Sequence, residues 1–314
     1  MTACIICNNC NNTSNNQPVV VMELQLGLKE EFTYQLCNNC GSMQLLNPPS
    51  DLSSYYPNEN YYSFNMKLRS LKKPDFLSLI KASYLLYGKN AIPGRLLSIG
   101  YKIPEFYEWM INTRVQLNDA ILDVGCGNGG LLSRLYQMGF TNLTGIDPFI
   151  DMDHDHGTIK IFKKDLNDLQ QKFDLIMMHH SLEHMFDPLT VLKKTWSLLN
   201  ENSYLLLRIP IMGNYGWQKY GTYWCGLDAP RHIFIPSERG IRLLIKQAGF
   251  QIENIEYDSN DSYIWSSEQY LKGIPLTADN SRMNNKKKSI FSKEQVREFK
   301  KIIFTENHRK NGDT

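Results

Sequence analysis

The chain has 314 residues, 42% hydrophobic and 21% charged, which is apolar enough to build a core and argues against wholesale disorder. Its 34 Lys and Arg against 32 Asp and Glu leave a net charge of +2, so the whole chain offers no electrostatic case for nucleic acid or an anionic membrane. No stretch approaches the roughly 18 apolar residues of a transmembrane helix. The opening MTACIICNNCNN lacks the basic-then-apolar order of a secretory signal, so a soluble, cytoplasmic protein without a membrane partner is expected.

Five of the seven cysteines (Cys4, Cys7, Cys10, Cys37 and Cys40) fall in the first 40 residues, leaving only Cys126 and Cys225 beyond. A disulfide framework would staple the chain throughout, whereas clustering at one end points to a local metal site. Residues 1–50 read as a cysteine-bearing module with strands at 19–26 and 31–37. Residues 51–94 read as a connector, opened by a Pro-, Ser-, Asn- and Tyr-rich segment and carrying a helix over 75–87 between Pro74 and Gly88. A second helix is expected over 104–116.

From there the pattern alternates. Strands are expected at 120–125, 142–147, 158–165, 173–178, 203–210 and 250–257, with helices at 131–138, 189–199 and 238–248. Nearly continuous Val, Ile and Leu in strands that alternate with helices imply an α/β, doubly wound, mostly parallel sheet, assigned to residues 95–257. Residues 258–314, with a lysine run at 286–288 and a helix over 293–303, read as a C-terminal extension or lid.

The first of these strands runs into DVGCGNGG (123–130) and then a helix. Glycines there let backbone N–H groups approach a ligand at a helix N-terminus, near the switch point of the sheet. The spacing Gly125-x-Gly127-x-x-Gly130, with Asp147 some twenty residues on, also fits a dinucleotide fingerprint, so a nicotinamide-dependent oxidoreductase stays an alternative. Three carboxylates at successive strand ends favour a different ligand. Asp123 would repel a pyrophosphate but suits a cation, Asp147 suits ribose hydroxyls, and Asp165 suits an adenine amino group.

DVGCGNGG, GIDP, KKDL and FDLIMMHHSLEHMFDP together resemble the successive motifs of class I S-adenosylmethionine-dependent methyltransferases. The resemblance implies that family's seven-stranded sheet, although no convincing final strand follows residue 257. It also implies a cofactor set of Asp123, Gly125, Cys126, Gly127, Gly129, Asp147, Pro148, Asp165, Leu166 and His179.

After the fourth strand, His180, Glu183 and His184 stand at i, i+3 and i+4, and His232 lies in DAPRHIFIPS. A neutral histidine removes a hydroxyl proton well near neutral pH, so His180 or His232 is the expected general base, with His184 beside them. The segment also resembles the Glu-x-x-Glu-His metal site of ubiquinone-type and small-RNA-end methyltransferases, with His180 replacing the first Glu; the resemblance implies a second metal at Glu183 and His184, and the imidazole favours a transition ion over Mg²⁺. Cys4-x-x-Cys7 and Cys37-x-x-Cys40 form two knuckles for structural Zn²⁺, with Cys7-x-x-Cys10 an equally valid first knuckle. CNNCGSMQLLNPP resembles the second knuckle of zinc ribbons fused ahead of bacterial methyltransferases, whose first pair matches Cys4 and Cys7. DAPRHIFIPS resembles a string in methyltransferases that sit among surface-sugar genes, which implies a saccharide or other small hydroxyl acceptor; aromatics at 215–224 suit such a ligand. An RNA methyltransferase using the ribbon and the 286–288 lysines is a third reading, disfavoured by the neutral charge.

Overall fold

The computed structural model describes residues 3–8, 18–56 and 73–314. Cys10 and residues 57–72 of the connector lie outside the described residues. In chain order the elements are β1 (Pro18–Met22), β2 (Glu31–Leu36), β3 (Met43–Leu45), α1 (Phe76–Tyr87), α2 (Ala91–Leu97), α3 (Glu105–Asn112), β4 (Ile121–Val124), α4 (Gly130–Gln137), β5 (Leu143–Ile146), β6 (His154–Asp155), β7 (Ile159–Phe162), β8 (Phe173–His179), α5 (Pro188–Leu198), β9 (Leu199–Arg208), α6 (Tyr215–Tyr220), β10 (Phe234–Ile235), α7 (Glu238–Gln247), α8 (Ser262–Leu271) and α9 (Lys293–His308). They divide into two units. One takes the described parts of 58–181 with 194–208, the other those of 1–57 with 182–193 and 209–314, so α5 belongs to both.

In the first unit a six-stranded sheet runs in the order β6-β7-β5-β4-β8-β9. Five strands are parallel, and the two-residue β6 adds an antiparallel edge. All four residues of β4 and of β5 are buried, as strands covered on both faces must be. Ile121, Leu143, Ile159, Leu175 and Met177 pack with Leu132 and Leu135 of α4 and with Ala82, Leu86, Tyr107 and Met110 of α1 and α3. Helix α1 starts at an Asp75 cap that accepts from the Ser78 N–H, and it stops at left-handed Gly88. Because β5 and β8 flank β4 on opposite sides, the strand order reverses there and opens a crevice at the carboxyl ends.

The second unit has an antiparallel sheet in the order β1-β2-β3-β10. Its last pairing joins Met43 and Gln44 to Ile235 and Phe234, far apart in sequence. Tyr34, Met43, Trp224, Ile235, Ile264 and Ile303 form its core.

Two expectations are corrected. Residues 250–257 form no strand, and among the described residues no further strand pairs beside β9, so the sheet has six strands rather than the seven the resemblance implied. Ile252 and Ile255 are three apart, which puts them on opposite faces of an extended chain, and no residue of that segment is buried. Helix α3 ends at Asn112, short of the expected 116, where Arg114 turns left-handed at φ 54°.

Candidate functional site

The glycine turn follows β4 as expected. Gly125, Gly127 and Gly129 have φ of 77°, 52° and 73°, a region that side chains other than glycine seldom enter. Space is tight as well. A Cβ on Gly125 would lie 2.6 Å from the Ser181 Cβ, and one on Gly129 would lie 2.3 Å from Ile161 Cδ1. Asp147, buried at the end of β5, ties the turn down: its carboxylate accepts from the Gly127 N–H at 2.9 Å and from the Phe149 N–H at 2.9 Å. Each carboxylate oxygen keeps lone-pair capacity for a ribose hydroxyl. Asp123 is buried, and burial with the nearby charge of Asp147 pushes its carboxyl up to about 8. A buried acid in that state is ready to ionise when a cation arrives. The Cys126 thiol lies against Gly145 and is raised well above its ordinary value, chiefly by burial. It is therefore no thiolate nucleophile.

Asp165 caps the turn Leu166–Asp168, accepting from the Asn167 N–H at 2.9 Å. It is exposed, as is Pro148, whereas Leu166 is buried. His179 ends β8, with its ring centroid 4.6 Å from that of Trp109. Both ring nitrogens are buried without a hydrogen-bond partner among the described residues, and burial followed by the Arg208 charge lowers its pKa to about 3. Arg208, in register beside His179, lies 4.7 Å over the Trp109 ring. His180 donates its N–H to the Arg208 carbonyl at 2.9 Å and holds a left-handed φ of 51°.

In the second unit, Glu183, His184 and His232 bring one ligand atom each to within 4.8 Å of one another. His184 Nδ1 lies 2.9 Å from the Arg231 carbonyl oxygen and His232 Nδ1 lies 2.9 Å from that of Gly226. A carbonyl only accepts, so both δ nitrogens are assigned the proton and both Nε2 atoms a lone pair, with the Tyr56 hydroxyl, 3.1 Å from His184 Nδ1, then acting as an acceptor. His232 Nε2 stands 3.8 Å from Glu183 Oε1. Burial first, and His184 second, lower the His232 pKa to about 4, so it is neutral at physiological pH.

The loop that carries His232 is held from several sides. Tyr34 donates to the His232 carbonyl at 2.8 Å, and the Ile233 N–H donates to the Glu183 carbonyl at 2.8 Å. The buried Arg231 guanidinium meets Asp228 at 2.6 Å, Glu23 at 3.1 Å and the Tyr55 carbonyl at 3.0 Å. Burial opposes ionisation of Asp228, yet Arg231 and the two histidines hold its carboxyl below the ordinary range.

Cys4, Cys7, Cys37 and Cys40 converge in the same unit. Their sulfurs pair at 3.7 Å (Cys4 with Cys40) and 3.7 Å (Cys7 with Cys37). A tetrahedral ion with metal–sulfur bonds of about 2.3 Å sets its ligands about 3.8 Å apart, so the four thiols fit a Zn²⁺ ion. The hydrogen bond from Cys4 lowers the Cys40 thiol to about 5, while Cys4 itself is raised by that sharing and by burial. Asn39 Nδ2 donates to the Cys7 sulfur at 3.4 Å, the kind of outer contact that steadies a thiolate.

A methyltransferase-domain family matches residues 85–255, more than half of the chain. The chain belongs to that family. Its matched residues form a class I S-adenosylmethionine-dependent methyltransferase domain, with the parallel sheet and glycine turn described above. The chain is 31% identical over 117 residues to a tRNA U34 carboxymethyltransferase of Nautilia profundicola, covering 32% of this chain and 38% of that one. It is 34% identical over 101 residues to a ubiquinone biosynthesis O-methyltransferase of Actinobacillus pleuropneumoniae, covering 27% and 43%. The chain thus spans less than half the length of these curated relatives. Among solved structures, the mycolic acid cyclopropane synthase CmaA1 complexed with SAH and CTAB covers 73% of this chain and 91% of its own, at 13% identity and a TM-score of 0.43.

Within the methyltransferase domain, the structure gathers Asp123, Cys126, the three glycines and Asp147 at the ends of β4 and β5, and sets His179 and His180 at the end of β8. Nothing in the sequence sets Trp109 apart from the other apolar residues of the expected 104–116 helix, because only the folded sheet brings α3 to His179. The sequence does not mark Glu23, Tyr34 and Asp228 as supports of the His232 loop; the sole hint is Arg231 with Asp228 three residues before it in a segment that then turns apolar.

Proposed function

We propose that the protein transfers a methyl group from S-adenosylmethionine to a hydroxyl of a small acceptor, a saccharide or nucleotide-sugar. The observation that carries the cofactor assignment is Asp147 bonded to the Gly127 N–H across three left-handed glycines. In this reading the buried Asp147 accepts from the ribose hydroxyls, and the protonatable Asp123 suits a ligand better cationic than phosphorylated. Asp165 and Leu166 line the adenine side in this reading, and His179 and Pro148 complete the rim. The cofactor supplies a sulfonium methyl. As the acceptor oxygen forms its bond to that carbon, the carbon–sulfur bond breaks in line and the hydroxyl proton must leave. His180 or His232 takes that proton, with His184 beside His232.

The saccharide assignment is supported by DAPRHIFIPS and by Tyr215, Trp217 and Tyr223, which stay half-buried at the edge of their core. Tyr220 and Trp224 are buried and serve packing. Supplying wild-type protein with radiolabelled S-adenosylmethionine and a panel of nucleotide-sugars, tRNA and protein tests this. Label in a sugar supports the reading; label only in tRNA or protein overturns it.

A second reading has its own support. With both δ protons held by carbonyls, Glu183, His184 and His232 offer two imidazole nitrogens and one carboxylate, a donor set suited to a transition ion. The four cysteines in turn are proposed to hold structural Zn²⁺. Elemental analysis should then find two ions per chain in the wild type and one in His232→Ala; an unchanged count in that variant leaves His232 to acid–base work.

A further inference from the structure

Helix α2 packs on α1 by one face only. Gly94 is its buried residue, and a Cβ there would fall 2.2 Å from the Tyr84 Cβ, so the two helices are in close contact. Ile92 and Leu96, one turn apart, lie to the other side, 80% and 64% exposed, and Ile99 follows at 75%. Ile103 is exposed as well. Four large aliphatic side chains facing solvent within twelve residues are unusual for the surface of a soluble domain.

Cations alternate with this apolar series. Lys89 precedes the helix, Arg95 sits between Ile92 and Leu96, and Lys102 precedes Ile103; all three are exposed. Between residues 73 and 103 the chain carries Lys73, Lys81, Lys89, Arg95 and Lys102 against one acid, Asp75. The near-neutral total for the whole chain conceals this local excess. The acids Glu105 and Glu108 begin only with α3.

We propose that the α2 segment is an interfacial anchor that seats this unit on an anionic lipid surface. Exposed aliphatics next to exposed Lys and Arg match the boundary of such a surface, where side chains enter the acyl region and cations meet headgroup phosphates. A protein partner with an acidic rim would match the charge but would normally cover a broader apolar area than a single turn of helix offers. The segment is far too short to span, since α2 has seven residues, so it lies on the surface and binds reversibly. This stands independently of the acceptor.

Co-sedimentation with vesicles tests it, using phosphatidylcholine and phosphatidylglycerol in a three-to-one ratio against phosphatidylcholine alone. Wild-type full-length protein should bind the anionic vesicles at least about tenfold more tightly, with added salt weakening the difference. Ile92→Ser/Leu96→Ser/Ile99→Ser should lose about tenfold or more of that binding, and Arg95→Glu/Lys102→Glu should lose its preference for the anionic lipid. Both variants should bind S-adenosylhomocysteine as the wild type does, which shows that the fold is intact. Equal wild-type binding to both vesicles, or none to either, overturns the proposal. So does a wild-type dimer in sedimentation equilibrium that the triple serine variant dissociates, because the covering surface is then a second copy of this chain.

Discussion

At the residue scale, Asp147 both shapes the glycine turn and presents its remaining lone pairs to the crevice. Replacing it by alanine removes the acceptor of two backbone N–H groups and, in the proposed binding mode, of the ribose hydroxyls. Asp147→Ala should weaken S-adenosylhomocysteine binding by about 1–3 kcal/mol, measured by calorimetry. Asp123 gives a prediction with a sign. Its carboxyl titrates near 8 in the folded chain against an ordinary 3.8. Between those values the folded chain keeps a proton that the unfolded chain has released, so this group's contribution to stability falls as pH rises from about 4 to about 8. Asp123→Asn should show a shallower loss of melting temperature over that interval than the wild type; parallel curves would contradict the buried, protonated acid. Both acids were legible in the sequence because a strand end is a fixed point of the parallel sheet. The lone pairs of His184 and His232 were not legible, since the Arg231 and Gly226 carbonyls that set their tautomers are placed by loop geometry with no periodicity.

At the scale of elements, the strands of the parallel sheet are marked by short, largely apolar runs that alternate with helices, and β4, β5, β7, β8 and β9 fall within or overlap the expected spans. The segment 250–257 misled because Phe250, Ile252, Ile255 and Tyr257 mimic alternation with a slip in the middle. The β3–β10 ladder could not be read, because two- and three-residue strands carry too few side chains to show a period and their partners lie far apart in the chain. The four-cysteine cluster was legible, since two Cys-x-x-Cys knuckles need no long-range information. Through the Leu45 N–H bond to the Ile233 carbonyl and the Ser237 N–H bond to Ser42, the cysteine sheet is tied to the loop that carries His232. Cys7→Ser or Cys37→Ser should lose one zinc per chain by elemental analysis, whereas Cys10→Ser should retain it; loss of zinc in the Cys10 variant would place that residue in the first knuckle instead. Metal loss should also raise protease sensitivity in residues 228–237, read by mass spectrometry of limited digests, because folding of such a sheet is coupled to its ion.

At the scale of the whole molecule, the chain builds two units by leaving one and returning to it, so residues 1–57 share a unit with 209–314. At roughly 150 residues per domain a length of 314 allows about two units but does not give that division, because composition reports on neighbours in sequence and the second unit is assembled from distant ones. Net charge was similarly blunt: a total of +2 hides the cationic stretch at 73–103. The family is carried by residues 85–255, and everything proposed about chemistry depends on what that domain binds. Titration calorimetry of the full-length protein with S-adenosylhomocysteine, and separately with NADH, tests this most directly. Micromolar binding of S-adenosylhomocysteine, weakened in Asp147→Ala, with no heat from NADH, is the expected result. Binding of NADH with none of S-adenosylhomocysteine would contradict it and return the glycine turn to a dinucleotide.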